Sequence, residues 1–408
     1  MGRVRPFVQN DIPQVAGLHW RVLHGKVGHP PPAAETYLEQ LFFLSPWSDS
    51  TLPSFVYEDE RGAVVGFQGV VPRQMSLFAK PIQAAYGTGL VVHPDSRYTL
   101  AGFHLTKAFF SGKQDLSLTD TANYVSEQVW GALGGITAVS YGTHWSRPLR
   151  PALYGLHGLS RFASGALSTV LTAFKPLSRA IDAFVTRLPS CPFRLSWPIL
   201  AAEVPDVDTL LVCLSDSSGL YSLQPEYKRD SLRWVLDFMG QMKTYGDLRQ
   251  LVLRDQTGKM VGWYIYYVTR GGIGEVVRIG AADHAICAVL DHLFHDASAR
   301  GAIALHGRLE TRLAQPLSEK CCFFYQASNR LLVHSRRPEL LRLINQNDAL
   351  LTRLDGEWCL RSSYRSLPRQ GRFANRNKTG KPIPSPIYLA QPSSGKSYLL
   401  TRPWAGWL

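Results

Sequence analysis

Two widely separated segments of the chain carry one local pattern, and nothing else in the sequence constrains the fold as tightly. Asp59-Glu60-Arg61-Gly62-Ala63-Val64-Val65-Gly66-Phe67 and Asp255-Gln256-Thr257-Gly258-Lys259-Met260-Val261-Gly262-Trp263 each open on an aspartate, place a glycine three residues on, and enter an apolar run ending on an aromatic ring. An Asp-x-x-Gly stretch ahead of such a run predicts a tight turn feeding the second strand of a hairpin. Found twice, it predicts one plan used in both halves of the chain.

The flanking periodicities extend that plan. In the first half, residues 3–8 predict an edge strand. Asn10-Asp11 caps a helix whose apolar face is Ile12, Val15, Leu18 and Val22, and a second helix runs through Tyr37, Leu41 and Phe42. Strands are expected at 54–58, 63–71 and 84–92, a helix at 100–110, a strand at 116–119, a helix at 122–133, and a closing strand at 137–145. In the second half a helix at 231–239 precedes strands at 248–254, 260–268 and 274–279. A helix at 284–300 and a strand at 302–309 follow; a helix at 313–319 and strands at 323–325 and 331–335 complete that lobe. The expected class is α/β (α+β): two lobes, each a mixed, mostly antiparallel sheet flanked by helices. Between them the chain is rich in Arg, Pro, Leu and Ala, with amphipathic spacing from Leu156 to Leu188, which predicts a helical connector. The expected division is therefore 1–147, a connector at 148–205, a second lobe at 206–361, and a tail at 362–408.

Charge first suggests a nucleic-acid partner and then withdraws the suggestion. The net charge is +13. From Arg361 to Leu408 the chain holds nine Lys or Arg and no Asp or Glu, so the folded body is only mildly basic. The tail interleaves Tyr364, Phe373, Tyr388, Tyr398, Trp404 and Trp407 with its charges, a composition able to touch nucleic acid or an anionic membrane, and it predicts a solvated extension. The six cysteines form no CxxC pair, which predicts reduced, buried thiols in a cytoplasmic protein. No apolar core follows the N-terminal charges, and the uncharged stretch 162–174 is too short to span a bilayer.

Two segments of the first half carry chemistry. Gly89-Leu90-Val91-Val92-His93-Pro94 ends a strand, and Arg97-Tyr98-Thr99-Leu100-Ala101-Gly102 leads into a helix. Further on stands Asn123-Tyr124-Val125-Ser126-Glu127-Gln128-Val129-Trp130-Gly131-Ala132-Leu133-Gly134. The first resembles the Arg/Gln-x-x-Gly-x-Gly/Ala loop, and the second the Asn-x-x-Ala-x-x-Leu-Tyr-x-x-Leu-Gly helix, of the GNAT superfamily of acyl-CoA N-acyltransferases. Leu100 stands where the loop's first glycine is usual, and Trp130 stands in the place of a tyrosine that returns a proton to the coenzyme thiolate. The resemblance implies an N-acyltransferase that passes an acetyl or other acyl group from coenzyme A to a small-molecule or peptide amine. Backbone amides at Leu90, Val91 and Val92 would polarise the thioester. Arg97, Tyr98, Thr99, Leu100, Ala101 and Gly102 would hold the pyrophosphate at the helix start, and Asn123 and Trp130 would line the coenzyme. Candidates for proton transfer are Asp120 and His144 as base and Tyr141 as acid; no metal is implied. The equivalent segment of the second half, Val276-Val277-Arg278-Ile279-Gly280-Ala281-Ala282-Asp283-His284-Ala285, lacks the loop pattern, so that lobe is expected to be degenerate. Paired lobes would also suit an aminoacyl, peptidoglycan-type or exopolysaccharide transferase, or a non-catalytic binding protein.

Three other motifs have plainer readings. Ala390-Gln391-Pro392-Ser393-Ser394-Gly395-Lys396-Ser397 fits a phosphate-loop pattern but lacks room for a following helix. Gly271-Gly272-Ile273-Gly274 reads as a hairpin turn. His292 and His295, three apart on one helix with no third ligand nearby in sequence, read as a helix face.

Overall fold

The computed structural model describes residues 2–25, 28–96, 100–160, 163, 166–185, 187–216 and 220–361. Arg97, Tyr98, Thr99 and the tail at 362–408, with its phosphate-loop-like stretch, lie outside the described residues.

The first half runs β1 (Arg3–Pro6), α1 (Ile12–His24), α2 (Pro32–Phe42), β2 (Phe55–Glu58), β3 (Val64–Leu77), β4 (Lys80–Val92) and α3 (Ala101–Phe110). It continues through β5 (Leu116–Ala122), α4 (Tyr124–Ala132), β6 (Ile136–Thr137) and β7 (Thr143–Pro148). The connector supplies α5 (Pro151–Ser160), α6 (Ala166–Ala173) and α7 (Lys175–Val185). The second half opens with β8 (Ala201–Glu203), α8 (Val207–Asp216), β9 (Leu223–Pro225), α9 (Arg229–Gly240), β10 (Asp247–Arg254), β11 (Met260–Val268) and β12 (Ile273–Ala281). It ends with α10 (Ile286–Ala299), β13 (Ala304–Arg308), α11 (Ala314–Glu319), β14 (Phe323–Gln326), β15 (Arg330–His334) and α12 (Pro338–Asn345).

Two mixed sheets result. The first runs β1-β2-β3-β4-β5-β15-β6, with β9 also paired to β3; the second runs β14-β7-β13-β12-β11-β10-β8. Each contains one parallel pair, β4 with β5 and β12 with β13, and the helix between the two strands (α3 or α10) makes the crossover. The order β2-β3-β4-α3-β5 in the first sheet is matched by β10-β11-β12-α10-β13 in the second.

The way each sheet is completed corrects the sequence reading. The closing strand expected at 137–145 is two strands, and they part company. β6 stays at the edge of the first sheet, whereas β7 crosses into the second, pairing with β13 (His306 opposite Ser146) and β14 (Phe324 opposite Trp145). In return β15, expected to complete the second lobe, inserts between β5 and β6 of the first, with Val333 opposite Leu118. Hydrophobic patterning marks a strand as buried but does not name its partner, so this exchange leaves no trace in local sequence. A second difference is length. β3 and β4 form one long hairpin turning at Phe78-Ala79, where both residues take positive φ (48° and 61°) without the usual Asn or Gly.

Helices α1 and α2 bury Val15, Ala16 and Leu38 with Phe67 of β3 beneath them, while Leu105 and Phe109 of α3 lie in the core on the sheet's other face. In the second lobe, Val289, Leu290, Leu293 and Phe294 of α10 pack with Tyr264 and Tyr266, whereas Trp263, Ile265 and Tyr267 of the same strand join α8, α9 and the C-terminal segment. All six cysteines are free; Cys213, Cys322 and Cys359 are buried, and Cys287 is exposed rather than buried as expected. Among the described residues, no helix is long and apolar enough to cross a membrane.

Candidate functional site

In the first sheet, β4 and β5 are paired only from Ala84–Leu116 to Tyr86–Leu118 and then part. The parting follows from a bulge. Gly69 of β3 is opposite Thr88 of β4, but Phe67 is opposite Val91, so β4 carries one extra residue at Gly89-Leu90. Gly89 takes φ +61°, and a Cβ there would lie 3.2 Å from His19 Cε1, so both backbone conformation and space favour glycine. His19, buried on α1, sets its Nε2 3.2 Å from the Gly89 carbonyl. Beyond the bulge a gap opens between two strands whose backbone groups no longer satisfy one another.

A side chain that the sequence reading did not single out fills this gap. Glu357, in a 3-10 turn spanning Glu357–Leu360, is buried with its carboxylate between the parted strands. Oε1 accepts from Thr88 Oγ1 (2.8 Å) and the Gly89 amide (3.2 Å); Oε2 accepts from Thr119 Oγ1 (3.3 Å) and from Thr121 Oγ1. Four donors match the four acceptor positions of an ionised carboxylate. The backbone amide of Glu357 donates to Asp120 Oδ1 (3.0 Å), while Asp120 Oδ2 accepts from Arg308 Nη2 (3.0 Å). Gly356 lies so close that a Cβ would be 2.3 Å from Asp120 Oδ2. The segment therefore approaches β5 as only glycine permits.

The second sheet shows the same architecture with other contents. β12 and β13 pair from Ile273–Ala304 to Val276–Gly307 and then part, and a bulge near Val277 shifts β12 against β11. Here the C-terminal segment brings a cation. Arg353 Nη1 donates to Glu275 Oε2 (2.7 Å) and to the Val276 carbonyl (3.0 Å). One short buried stretch, Arg353 to Glu357, thus tethers both partings.

Six of the coenzyme-binding candidates inside the described residues lie where β4 hands over to α3, and two, Asn123 and Trp130, lie at the N-cap of α4 and within it. Leu90 and Val92 are half-buried and Val91 is buried with Phe67. Ala101 is buried, and Gly102 is half-buried beside Val92. Leu100 is 62% exposed and holds φ +59°, ψ +15°, the left-handed conformation for which glycine is suited. Asn123 caps α4, its side chain accepting from the Ser126 amide at 3.0 Å. Trp130 is only 3% exposed and packs edge-on to Phe110 (centroids 4.7 Å apart), so its ring belongs to the α3–α4 core.

The three proton-transfer candidates fare differently. Asp120 lies at the parting, where one carboxylate oxygen pairs with Arg308 and the other accepts from the Glu357 amide. His144 is carried away by β7 into the second sheet, where Arg353 Nη2 lies 3.3 Å from its Nδ1. Burial, reinforced by Arg353 and Arg308, pulls its pKa down to about 2, which removes it as a base near neutral pH. Tyr141 buries its hydroxyl against the Ala349 carbonyl (2.7 Å), and burial raises its pKa, so it is held as a structural donor. His292 Nδ1 faces the Tyr264 hydroxyl at 2.9 Å inside the α10 core. Glu357 escaped sequence reasoning because its segment lies far from the motifs; its one signal is the apolar cluster Ala349, Leu350, Leu351 and Leu354 a few residues before it.

Parallel neighbours that part at a bulge, with a helix starting beyond the strand end, define the GNAT fold, and this chain has that fold. It is similar over its length to an Enterococcus faecalis protein described as a probable N-acyltransferase, with a TM-score of 0.56 at 10% identity over 85% of this chain and 74% of that one. It is similar also to GCN5-related N-acetyltransferases from Anabaena variabilis (TM-score 0.55, 11% identity, 83% and 74% covered) and Kribbella flavida (0.50, 14%, 82% and 71%). No protein-family model matches the sequence, and no curated protein does.

Proposed function

We propose that the chain is an acyl-CoA-dependent N-acyltransferase, with its reaction centre at the β4–β5 parting and Glu357 as the group that takes up the amine proton. The observation that carries this reading is the Glu357 carboxylate itself, an ionisable group held between parted strands beside a bulge. Acyl-CoA supplies an activated acyl carbon. The chain's task is to bind the carrier, polarise the thioester carbonyl and remove one proton.

The residues present suit that task. The Gly89 amide is engaged by Glu357, so the next amide along the bulge, that of Leu90, is the donor we assign to the carbonyl. The start of α3, from Leu100 to Gly102, offers helix N-terminal amides for the phosphates, with Arg97 alongside in sequence. Attack of the amine nitrogen on the carbonyl carbon forms the C–N bond, and departure of the thiolate breaks C–S. The proton leaves the amine through Thr121, which is half-buried while Glu357 is not exposed. A threonine hydroxyl donates and accepts at once, so it can pass its own proton to Glu357 while receiving the amine's. The second lobe, with Arg353 at its parting and no pyrophosphate loop, is assigned no coenzyme.

The test combines calorimetry with acetyl-CoA and measurement of thiol release with a panel of primary amines. One site per chain is expected. Glu357→Gln should lower turnover by about 10²–10⁴-fold while leaving coenzyme affinity within a few-fold. Absence of coenzyme binding, or unchanged turnover in Glu357→Gln, overturns the reading and leaves a GNAT scaffold with another ligand.

A further inference from the structure

The connector helix α7 is built the wrong way round for a soluble protein. Its buried side chains are polar: Ser178 and Asp182, one turn apart. Asp182 has a clear reason to face inward, since its carboxylate accepts from the Ala152 amide (2.7 Å) and the Leu153 amide (3.0 Å) and so caps the start of α5. The side chains turned to solvent are apolar. On α7, Leu177, Ile181 and Phe184 are 55%, 43% and 68% exposed, and Val170 of α6 and Phe174 between the two helices are exposed as well. The three on α7, spaced four and then three residues apart, form one stripe along the helix. A helix that buries its polar edge and exposes an apolar stripe has a surface in need of cover.

The charge beside the stripe says what kind of cover fits. Residues 148–205 contain six Lys or Arg (150, 161, 175, 179, 187 and 194) against two acids, Asp182 and Glu203. Asp182 is committed to the α5 amides and Glu203 to Arg254 at 2.7 Å. Lys175, Arg179 and Arg187 are exposed and make no ion pair among the described residues. A second copy of this face would set like charge against like. An anionic lipid surface satisfies both features, taking the apolar side chains among its acyl chains and pairing its phosphates with the cations.

We propose that α7 docks the protein on an anionic phospholipid surface, inserting Leu177, Ile181 and Phe184 with Arg179 and Arg187 at the headgroups. The experiment is co-sedimentation of the full chain with vesicles of phosphatidylcholine alone and of equimolar phosphatidylcholine and phosphatidylglycerol. Binding is expected to the anionic vesicles only, and to weaken at high salt. The double variant Ile181→Ser, Phe184→Ser should lower the partition coefficient about tenfold or more, and Arg179→Glu, Arg187→Glu should do likewise. Neither should shift thermal unfolding, because the altered side chains are exposed. Failure of the wild-type chain to bind anionic vesicles overturns the proposal. So does wild-type binding by the Ile181→Ser, Phe184→Ser variant that is lost on deleting residues 362–408, which would place the lipid contact in the tail. Dissociation of a dimer by the serine variant, with vesicle binding unchanged, would make the stripe a contact between copies and overturn it equally.

Discussion

Leu100 and His144 show how a single residue carries information about the whole site. By the loop resemblance Leu100 stands where glycine is usual, and its left-handed backbone is the conformation that glycine adopts freely. Such a conformation costs a branched side chain about 1–2 kcal/mol. Since Leu100 is exposed, Leu100→Gly gives up little packing. Chemical denaturation is expected to show the variant more stable by about 1 kcal/mol, after the extra flexibility glycine brings to the unfolded chain. A destabilised variant would mean that the leucine side chain makes a contact worth more than the strain. His144 predicts a pH effect. Its pKa falls from 6.5 to about 2 on folding, so below pH 6.5 the unfolded chain binds a proton that the folded chain does not. Stability from this group is complete above pH 6.5 and is lost as pH falls, by up to about 1.4 kcal/mol per unit. His144→Gln should flatten the acid limb of a stability-versus-pH curve measured by urea unfolding, and an unchanged slope would place the titration elsewhere.

At the scale of elements, the β3–β4 hairpin is the clearest case of structure against local preference. Its turn, Phe78-Ala79, places two ordinary residues at positive φ, and Phe78 is 64% exposed. The Leu77–Lys80 pairing on one side and the ladder down to Gly66–Val92 hold it there. Replacing the pair with Asn-Gly should raise the midpoint of thermal unfolding, with a stabilisation of about 1–2 kcal/mol. The sequence offered no turn signal at this place, so strand expectations ended at residue 71 and resumed at 84. The repeated Asp-x-x-Gly turns were legible because their glycines, Gly62 and Gly258, do sit at φ +81°. Asp59 and Asp255 also accept backbone amides across their turns, that of Ala63 at 2.9 Å and that of Lys259 at 3.0 Å. Neither the parting of β4 from β5 at Gly89 nor its occupant, Glu357, was legible in local sequence.

At the scale of the whole molecule, the exchanged strands make the two halves interdependent. A fragment ending before residue 206 lacks β15, and one beginning there lacks β7, so each would expose an unpaired edge within its sheet. Neither fragment alone is expected to show a cooperative unfolding transition, and mixing or co-expressing the two should restore it. A separately folded 206–361 fragment, judged by calorimetry, would refute this. The buried stretch from Leu350 to Leu360 reinforces the dependence, joining Arg353 at one parting to Glu357 at the other. Local sequence alone determined that an Asp-x-x-Gly turn feeds a hairpin strand in each half, that α3 begins after a strand-ending Gly89 segment, and that helices lie within 148–205. Those features arise from turn chemistry and from apolar periods of two and three to four residues, which neighbouring residues specify. Tertiary structure alone decided that β7 and β15 change places and that His144 lies in the second sheet while Asp120 stays in the first. It alone brought Glu357 to Gly89. Each of these is a pairing between residues far apart in the chain, selected by which buried groups satisfy one another after folding, and no local pattern records that choice.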